Sequence, residues 1–259
     1  MTTAIHTAAC PARVDGGLYH WEESITRDLA DTVGCEGKRV LEIGGDLPSD
    51  VAVQVLKAAH WTCLDLSVER PVTGDRYAMI PGDARDLPFP DDAFDVVYSS
   101  CAFEHINDFP RAVAEIKRVL RPGGELLACW GPIWSCAVGH HLWVSYEGHR
   151  LDFNQGTIPA WAHLICPEPE LPALLAEWLP AGAAEGVAHW MLHDPYLNRL
   201  FCDDYLQALD AAGFASGSID PWGPERKPLP EEADRLEAAW PGKGPFHIYG
   251  LRCHAVMGA

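Results

Sequence analysis

The run from Arg39 to Ser67 reads as strand, turn, helix, strand, and it constrains the fold more than any other stretch. It opens with Arg39-Val40-Leu41-Glu42-Ile43-Gly44-Gly45-Asp46, a short apolar run carrying an acid just ahead of a glycine pair. Runs of this kind are the pattern of parallel strands buried on both faces. Glycines just past such a strand permit a tight turn, and with no Cβ they let a ligand approach the backbone. Pro48 and Ser49 suit the first turn of a helix running to about Ala59. Trp61-Thr62-Cys63-Leu64-Asp65-Leu66 follows as a second strand with an acid near its carboxyl end. Ligands of open α/β sheets bind beyond the carboxyl ends of the strands, and an acid there suits ribose hydroxyls. The stretch predicts a nucleoside-binding edge.

Downstream the alternation continues. Arg76 to Ile80 reads as a third strand leading into the turn Pro81-Gly82-Asp83-Ala84. That turn could present a carboxylate and backbone groups to an adenine amino group; read alone, it fits an ordinary solvated turn better. Phe94 to Ser100 is a fourth strand, and Cys101-Ala102-Phe103-Glu104-His105-Ile106 a crossover. A helix from Phe109 to Leu120 is stopped by Arg121-Pro122-Gly123-Gly124, and Glu125 to Trp130 is the fifth strand. Upstream, Leu18, Trp21, Ile25, Leu29 and Val33 recur at helical spacing. That helix packs on the sheet or covers a ligand edge with Tyr19 and His20. Strands alternating with helical segments predict a parallel, doubly wound α/β sheet.

Charge narrows the partners. With 19 basic and 37 acidic side chains the formal charge is −18. Phosphate binding needs clustered Lys and Arg, so nucleic acid and anionic membranes are excluded as partners. No apolar run reaches the ~18 residues of a membrane span, and no charged-then-apolar leader opens the chain. The expectation is a soluble, cytoplasmic protein acting on a small-molecule substrate, with the oligomeric state left open. The nine cysteines include no C-x-x-C pair and read as small buried hydrophobes kept reduced.

Together, Val40–Gly45, Asp65, Gly82-Asp83-Ala84, Phe94–Ser99, Glu104-His105 and Leu120-Arg121-Pro122-Gly123-Gly124 resemble a class I S-adenosylmethionine (SAM)-dependent methyltransferase of the type 11 group. The resemblance covers about residues 38 to 130. It implies a Rossmann-like, seven-stranded sheet whose last two strands form an antiparallel hairpin. Phe214 to Ile219 and Phe246 to Cys253 would supply them, with a helix over Asp203 to Ala212 before them. It also implies SAM as the cofactor. By the same resemblance, Glu42, Gly44 and Gly45 line its methionine end, Asp65 accepts from the ribose, Asp83 and Ala84 meet the adenine, and Ser99 sits near the methionine. His105 would pack in support. One departure stands out: the family's first motif usually reads acid-x-Gly-x-Gly-x-Gly. Here it is Glu42-Ile43-Gly44-Gly45-Asp46-Leu47-Pro48, without the second and third of those glycines.

Residues 131 to 202 separate the fifth strand from the next helix and are far longer than an ordinary connection. They hold Trp134, Trp143, Trp161, Trp178 and Trp190, and half of the histidines. Aromatic walls with a few polar groups suit a small-molecule pocket, so this insertion is expected to build the substrate chamber. His140 and His141 are adjacent, and either could orient or deprotonate an acceptor, as could His163; packed or solvent-facing histidines fit as well. His189 and His193 have i, i+4 spacing and could share a helical face as metal ligands. Without the H-E-x-x-H acid and with Pro195 just beyond, the spacing favours a structural pair, and no metal is assigned. The acidic, proline-rich segment Asp220 to Glu237 reads as a solvated connector.

The expected organisation is an N-terminal helical cap over 1–36, a SAM-binding core over 37–130, a substrate-binding insertion over 131–202 and the remainder of the core over 203–259. The function expected is SAM-dependent methyl transfer to a small molecule, in secondary metabolism. The alternative is an elimination, cyclisation or rearrangement on the same scaffold, with SAM absent or a spectator.

Overall fold

Arg39–Ile43 and His60–Asp65 form adjacent parallel strands, with Glu42 opposite Cys63 and Ile43 opposite Leu64, in a computed structural model of the chain. The structure describes residues 6–7, 18, 20–147, 149–179 and 182–259. Tyr19 and most of the expected lead-in over 1–16 lie outside them. In chain order the strands are β1 (His6–Thr7), β2 (Arg39–Ile43), β3 (His60–Asp65), β4 (Val72–Thr73), β5 (Tyr77–Pro81), β6 (Phe94–Ser100), β7 (Leu120–Trp130), β8 (Trp143–Tyr146), β9 (His149–Asp152), β10 (Ser216–Trp222) and β11 (Gly250–Val256). The helices are α1 (His20–Thr32), α2 (Phe109–Val119), α3 (Ala162–Ile165), α4 (Leu171–Leu175), α5 (Ala184–His193), α6 (Cys202–Ala212) and α7 (Pro230–Ala239). They fall into two compact units, each with its own core.

The first unit comprises Ala12–Gly131, Tyr205–Trp222 and Leu251–Ala259. Its sheet has the order β10-β11-β7-β6-β2-β3-β5-β4. The pairs β2–β3, β3–β5, β2–β6 and β6–β7 are parallel, and β11 runs antiparallel to β7 as expected of the last strand. The two-residue β4 adds an antiparallel edge to the seven strands expected. From β2 the chain moves outward through β3 and β5, then returns to β6 on the other side of β2. That reversal opens a crevice at the carboxyl ends of β2 and β6, where ligands of such sheets bind.

Both faces of the central strands β2, β3, β6 and β7 are covered, and these strands are apolar over most of their length. Val40, Trp61, Cys63, Val96, Tyr98 and Leu127 form one face, covered by Ile25 and Leu29 of α1. The other carries a cluster of Phe103, Phe109, Trp130 and Tyr205 with ring centres 5.0–6.3 Å apart. The helix expected from Pro48 to Ala59 shrinks to a single π turn over Val51–Val55. Three β-branched valines crowd that turn, and Lys57 takes a left-handed φ of 56° that ends it.

The second unit takes Met1–Pro11, Pro132–Asp204 and Gly223–Gly250. Strands β1, β8 and β9 form a small antiparallel sheet. One core joins Leu142, Leu171, Leu175, Val187 and Met191; another joins Trp134, Trp161, Phe201 and Leu236. The segment expected to be a solvated connector is largely solvent-facing, but it forms a helix, α7, that joins this second core through Leu236. Pro230 opens α7, the Glu232 carboxylate accepts the Leu229 N–H at 2.8 Å, and Leu236 is fully buried. The intervening helix also means that β10 and β11 are not joined as a hairpin. The final strand begins at Gly250 rather than Phe246 because the residues before it bond within the second unit. The Phe246 carbonyl accepts from Trp161 Nε1 at 3.3 Å, and the Tyr249 carbonyl accepts the Ile133 N–H at 2.8 Å.

Candidate cofactor site

Glu42 enters the turn after β2 from below. Two-residue alternation places its side chain on the face of Trp61 and Cys63, and it is 3% exposed. Its carboxylate accepts from Trp61 Nε1 at 2.8 Å, from Cys63 Sγ at 3.0 Å and from the Leu47 N–H at 3.3 Å. Burial pushes the Glu42 carboxyl up to about 7, against these bonds, which favour the charged form. Both glycines are required where they stand. Gly44 has φ +71°, and a Cβ there would lie 2.2 Å from Ala102 Cβ; a Cβ on Gly45 would lie 2.0 Å from Glu42 Oε1.

Leu47 and Pro48, which stand where the usual motif carries glycines, do not leave the turn unanchored. Leu47 is 2% exposed and packs with Val40, Ala52 and Trp61. Its N–H is held by Glu42, and its carbonyl accepts from Tyr77 Oη at 2.9 Å. Trp61, Cys63 and Tyr77 were not among the residues singled out from sequence. The alternation that puts Trp61 and Cys63 beside Glu42 is the signal that finds them.

The other expected residues sit at neighbouring strand ends of the same unit. Asp65 closes β3, and its Oδ1 accepts from the Ser67 N–H and hydroxyl at 2.7 and 2.5 Å. Asp83 follows β5; Arg85 grips both of its oxygens at 2.6–3.0 Å and, with the Arg85 N–H, holds its carboxyl below the usual range. Ala84 is buried. Ser99, in β6, is buried and donates its hydroxyl to the Ile43 carbonyl at 2.9 Å, tying β6 to β2. A further acid belongs with them. Glu104, between the carboxyl ends of β6 and β7, is 2% exposed; its Oε1 accepts the Gly131 N–H at 3.1 Å, while Oε2 has no hydrogen-bond partner. Burial pushes it up to about 8.

The three candidate histidines lie in the second unit, all buried. His140 Nδ1 accepts the Leu142 N–H at 3.1 Å, and burial beside His163 holds the ring neutral, well below its ordinary range. His163 Nε2 lies 2.8 Å from the Trp134 carbonyl, so that nitrogen carries the hydrogen, and burial pulls its titration down to about 4. His141 has φ 47° and lies edge-on to Phe153, with ring centres 4.8 Å apart. Trp134, Trp161 and Trp190 are core residues, whereas Trp178 is half exposed. A cavity of about 560 Å³ in this unit is lined by Ala160, Ile165, Leu174 and Arg235 among others.

Residues 44–128 match the methyltransferase domain family. Those residues carry a methyltransferase domain. The chain is 27% identical over 190 residues to a demethylmenaquinone methyltransferase of Clavibacter sepedonicus, covering 65% of this chain and 73% of that one. It is 36% identical over 124 residues to a phthiotriol/phenolphthiotriol dimycocerosates methyltransferase of Mycobacterium leprae, covering 45% and 43%. The chain spans only about half the length of most such curated relatives. In fold it is similar to a SAM-dependent methyltransferase of Mesorhizobium loti, with a TM-score of 0.53 at 18% identity over 91% of this chain and 97% of that one. No helix among the described residues is long and apolar enough to cross a membrane.

The residues present fit the cofactor that the family implies. SAM carries a sulfonium and an ammonium group. Two buried carboxyls at the sheet's carboxyl edge, one with an oxygen that lacks a partner, suit such a cation.

Proposed function

We propose that the chain transfers the methyl group of SAM to a small-molecule acceptor, one of secondary metabolism. The observation carrying this reading is the glycine turn held open above Glu42 at the switch point of the sheet, beside acids from three neighbouring strand ends. When bound, SAM supplies an electrophilic methyl group on a positively charged sulfur. The chain's own part is to bind, to orient and to exclude water, since near-attack distances of about 3–3.5 Å do most of the work. Glu42 and Glu104, whose protons burial holds to about 7 and about 8, become negative towards the cation by giving those protons up. Asp65 offers Oδ2, because Ser67 engages only Oδ1. The Asp83–Ala84 turn offers its backbone, with Arg85 already holding the carboxylate.

A carboxylate acceptor needs no base, whereas a hydroxyl or amine does. Burial makes His140 and His163 weak bases, so we assign that part to His141, which is buried as they are. The names of the relatives, for demethylmenaquinone and for phthiotriol dimycocerosates, support a small-molecule acceptor, and the charge of −18 argues against a nucleic acid. Calorimetric titration with SAM and with S-adenosylhomocysteine tests the reading. Saturable binding of one equivalent is expected; no binding by protein with an intact CD spectrum refutes it. Turnover of the natural substrate with SAM omitted would instead point to the non-methylating alternative.

A further inference from the structure

The face of the sheet that Val40, Trp61, Val96 and Leu127 make apolar also carries a connected row of polar groups. Glu42 of β2 stands opposite Cys63 of β3. Tyr77 of β5 stands opposite Trp61, which puts it on the diagonal to Cys63, within reach of a long aromatic side chain. Cys63 Sγ lies 3.0 Å from Glu42 Oε2 and 3.3 Å from Tyr77 Oη, and Tyr77 Oη lies 2.9 Å from the Leu47 carbonyl. Three links thus run from the Glu42 carboxyl to the carbonyl of the same residue whose N–H that carboxyl accepts. Apolar side chains would fill this part of the core without burying polar groups. The row needs a reason beyond packing.

Counting hydrogens supplies one. A carbonyl only accepts, so the Tyr77 hydroxyl commits its hydrogen to Leu47. Burial raises the Cys63 thiol and the Tyr77 phenol above their ordinary ranges, so each keeps its one hydrogen. With Glu42 ionised, the carboxylate takes the Cys63 hydrogen, and the link between Cys63 and Tyr77 has none. With Glu42 protonated, its carboxyl donates to Sγ, Cys63 donates to Tyr77 Oη, and Tyr77 donates to the carbonyl. All three links are then filled. The thiol therefore points one way or the other according to the proton on Glu42.

The other groups facing Glu42 do not reverse in this way. Trp61 Nε1 and the Leu47 N–H only donate, and Asp46 of the turn opposes the charge. Tyr98 of β6 faces Glu42 from the neighbouring strand and also bonds to Thr26 of α1, and α1 covers the face with the uncharged Ile25 and Leu29. We propose that Cys63 and Tyr77 are positioning residues for the cofactor, acting through Glu42 in opposite senses: Cys63 steadies the carboxylate that receives a cation, and Tyr77 steadies the proton-bearing form that does not. The inference rests on the proposed binding of SAM at this turn.

Carbon-13 NMR of the Glu42 side-chain carboxyl in ligand-free protein, identified by its loss in Glu42→Gln, reads this switch without SAM. Tyr77→Phe removes the acceptor of the middle link and should lower the Glu42 midpoint by about half a pH unit. Cys63→Ala removes a donor to a carboxylate and should raise it by about one pH unit. Cys63→Ser keeps a donor and an acceptor and should bring the midpoint back towards that of the parent. SAM titrations across pH should carry the same displacements, down in Tyr77→Phe and up in Cys63→Ala. Side chains that merely pack would weaken binding equally at every pH. In the parent, the infrared S–H stretch assigned to Cys63 should move as Glu42 titrates. Opposite displacements in ligand-free protein that then binds no SAM would refute the proposed function and leave the switch standing. A stationary S–H band, or Glu42 midpoints that stay together or move the same way in the two variants, would overturn the proposal.

Discussion

Glu42→Gln isolates the ionisation at the centre of the cofactor turn. A glutamic acid in the unfolded chain titrates near 4.5, whereas burial moves Glu42 in the folded chain to about 7. The folded state therefore holds its proton to higher pH. Its contribution to stability is complete below about pH 4.5 and is lost as the pH rises towards 7. The move from 4.5 to about 7, at 1.36 kcal/mol per tenfold change in proton affinity, amounts to about 3 kcal/mol lost by pH 8. Glutamine has no such loss. It does give up one acceptor among the bonds from Trp61, Cys63 and Leu47, a cost of about 1 kcal/mol at every pH. The variant should thus be the weaker protein below roughly pH 5 and the stronger one above it, by about 2 kcal/mol at pH 8. Urea midpoints for ligand-free parent and variant, measured between pH 4.5 and 8, read the difference directly. A difference that stays flat with pH would refute the placement of Glu42 as a buried, titrating group. A cationic ligand should reverse the burial shift, so SAM binding at pH 6 should release a proton from the parent and none from the variant. Calorimetry in buffers of different ionisation enthalpy detects it.

Three further outcomes follow from the same geometry. Gly45→Ala drives a Cβ against Glu42 Oε1, so SAM binding measured by calorimetry should be lost while the far-UV CD spectrum is retained. Leu47→Ala empties a buried site and should lower stability by about 2–5 kcal/mol in chemical denaturation, with weaker SAM binding because the turn loses its anchor. His163 is held neutral by burial, so its stability contribution is present above about pH 6.5 and lost as the pH falls towards 4. His163→Gln should flatten the acid limb of the stability profile, and an unchanged acid limb would show that this imidazole is not buried.

The first unit was legible because its strands are buried on both faces and so cannot tolerate polar runs. Val40 to Ile43, Trp61 to Leu64 and Phe94 to Ser99 announce themselves, and each strand end brings an expected residue to the same edge. What the sequence obscured was how those residues are spent. Asp83 was expected to meet the adenine and Ser99 to sit near the methionine; the Ser99 hydroxyl is bonded to Ile43 and the Asp83 carboxylate to Arg85. Pairing of this kind depends on register and rotamer, which composition does not encode. The second unit was harder to read. Its helices are short, and its partners lie far apart in the chain, as Leu236 against Trp161 and Glu168 against His193 show. An acidic, proline-rich surround hid α7, because only Leu236 and Trp240 mark its buried side.

The glycine-poor turn shows why a motif departure need not abolish a site. Successive glycines let a backbone approach a ligand because they carry no side chains. The same clearance arises if a side chain is turned the other way and held there. Leu47 points into the core, where Val40, Ala52 and Trp61 receive it, and its amide and carbonyl are fixed by Glu42 and Tyr77. Fixing a residue in this way also avoids the conformational entropy that a glycine loses on folding. The cost is moved to Glu42, which must be buried to reach the Leu47 amide and titrates near neutrality as a result. If the turn is held this way, its affinity for a cation depends on that single proton. A turn built from glycines alone carries no such dependence.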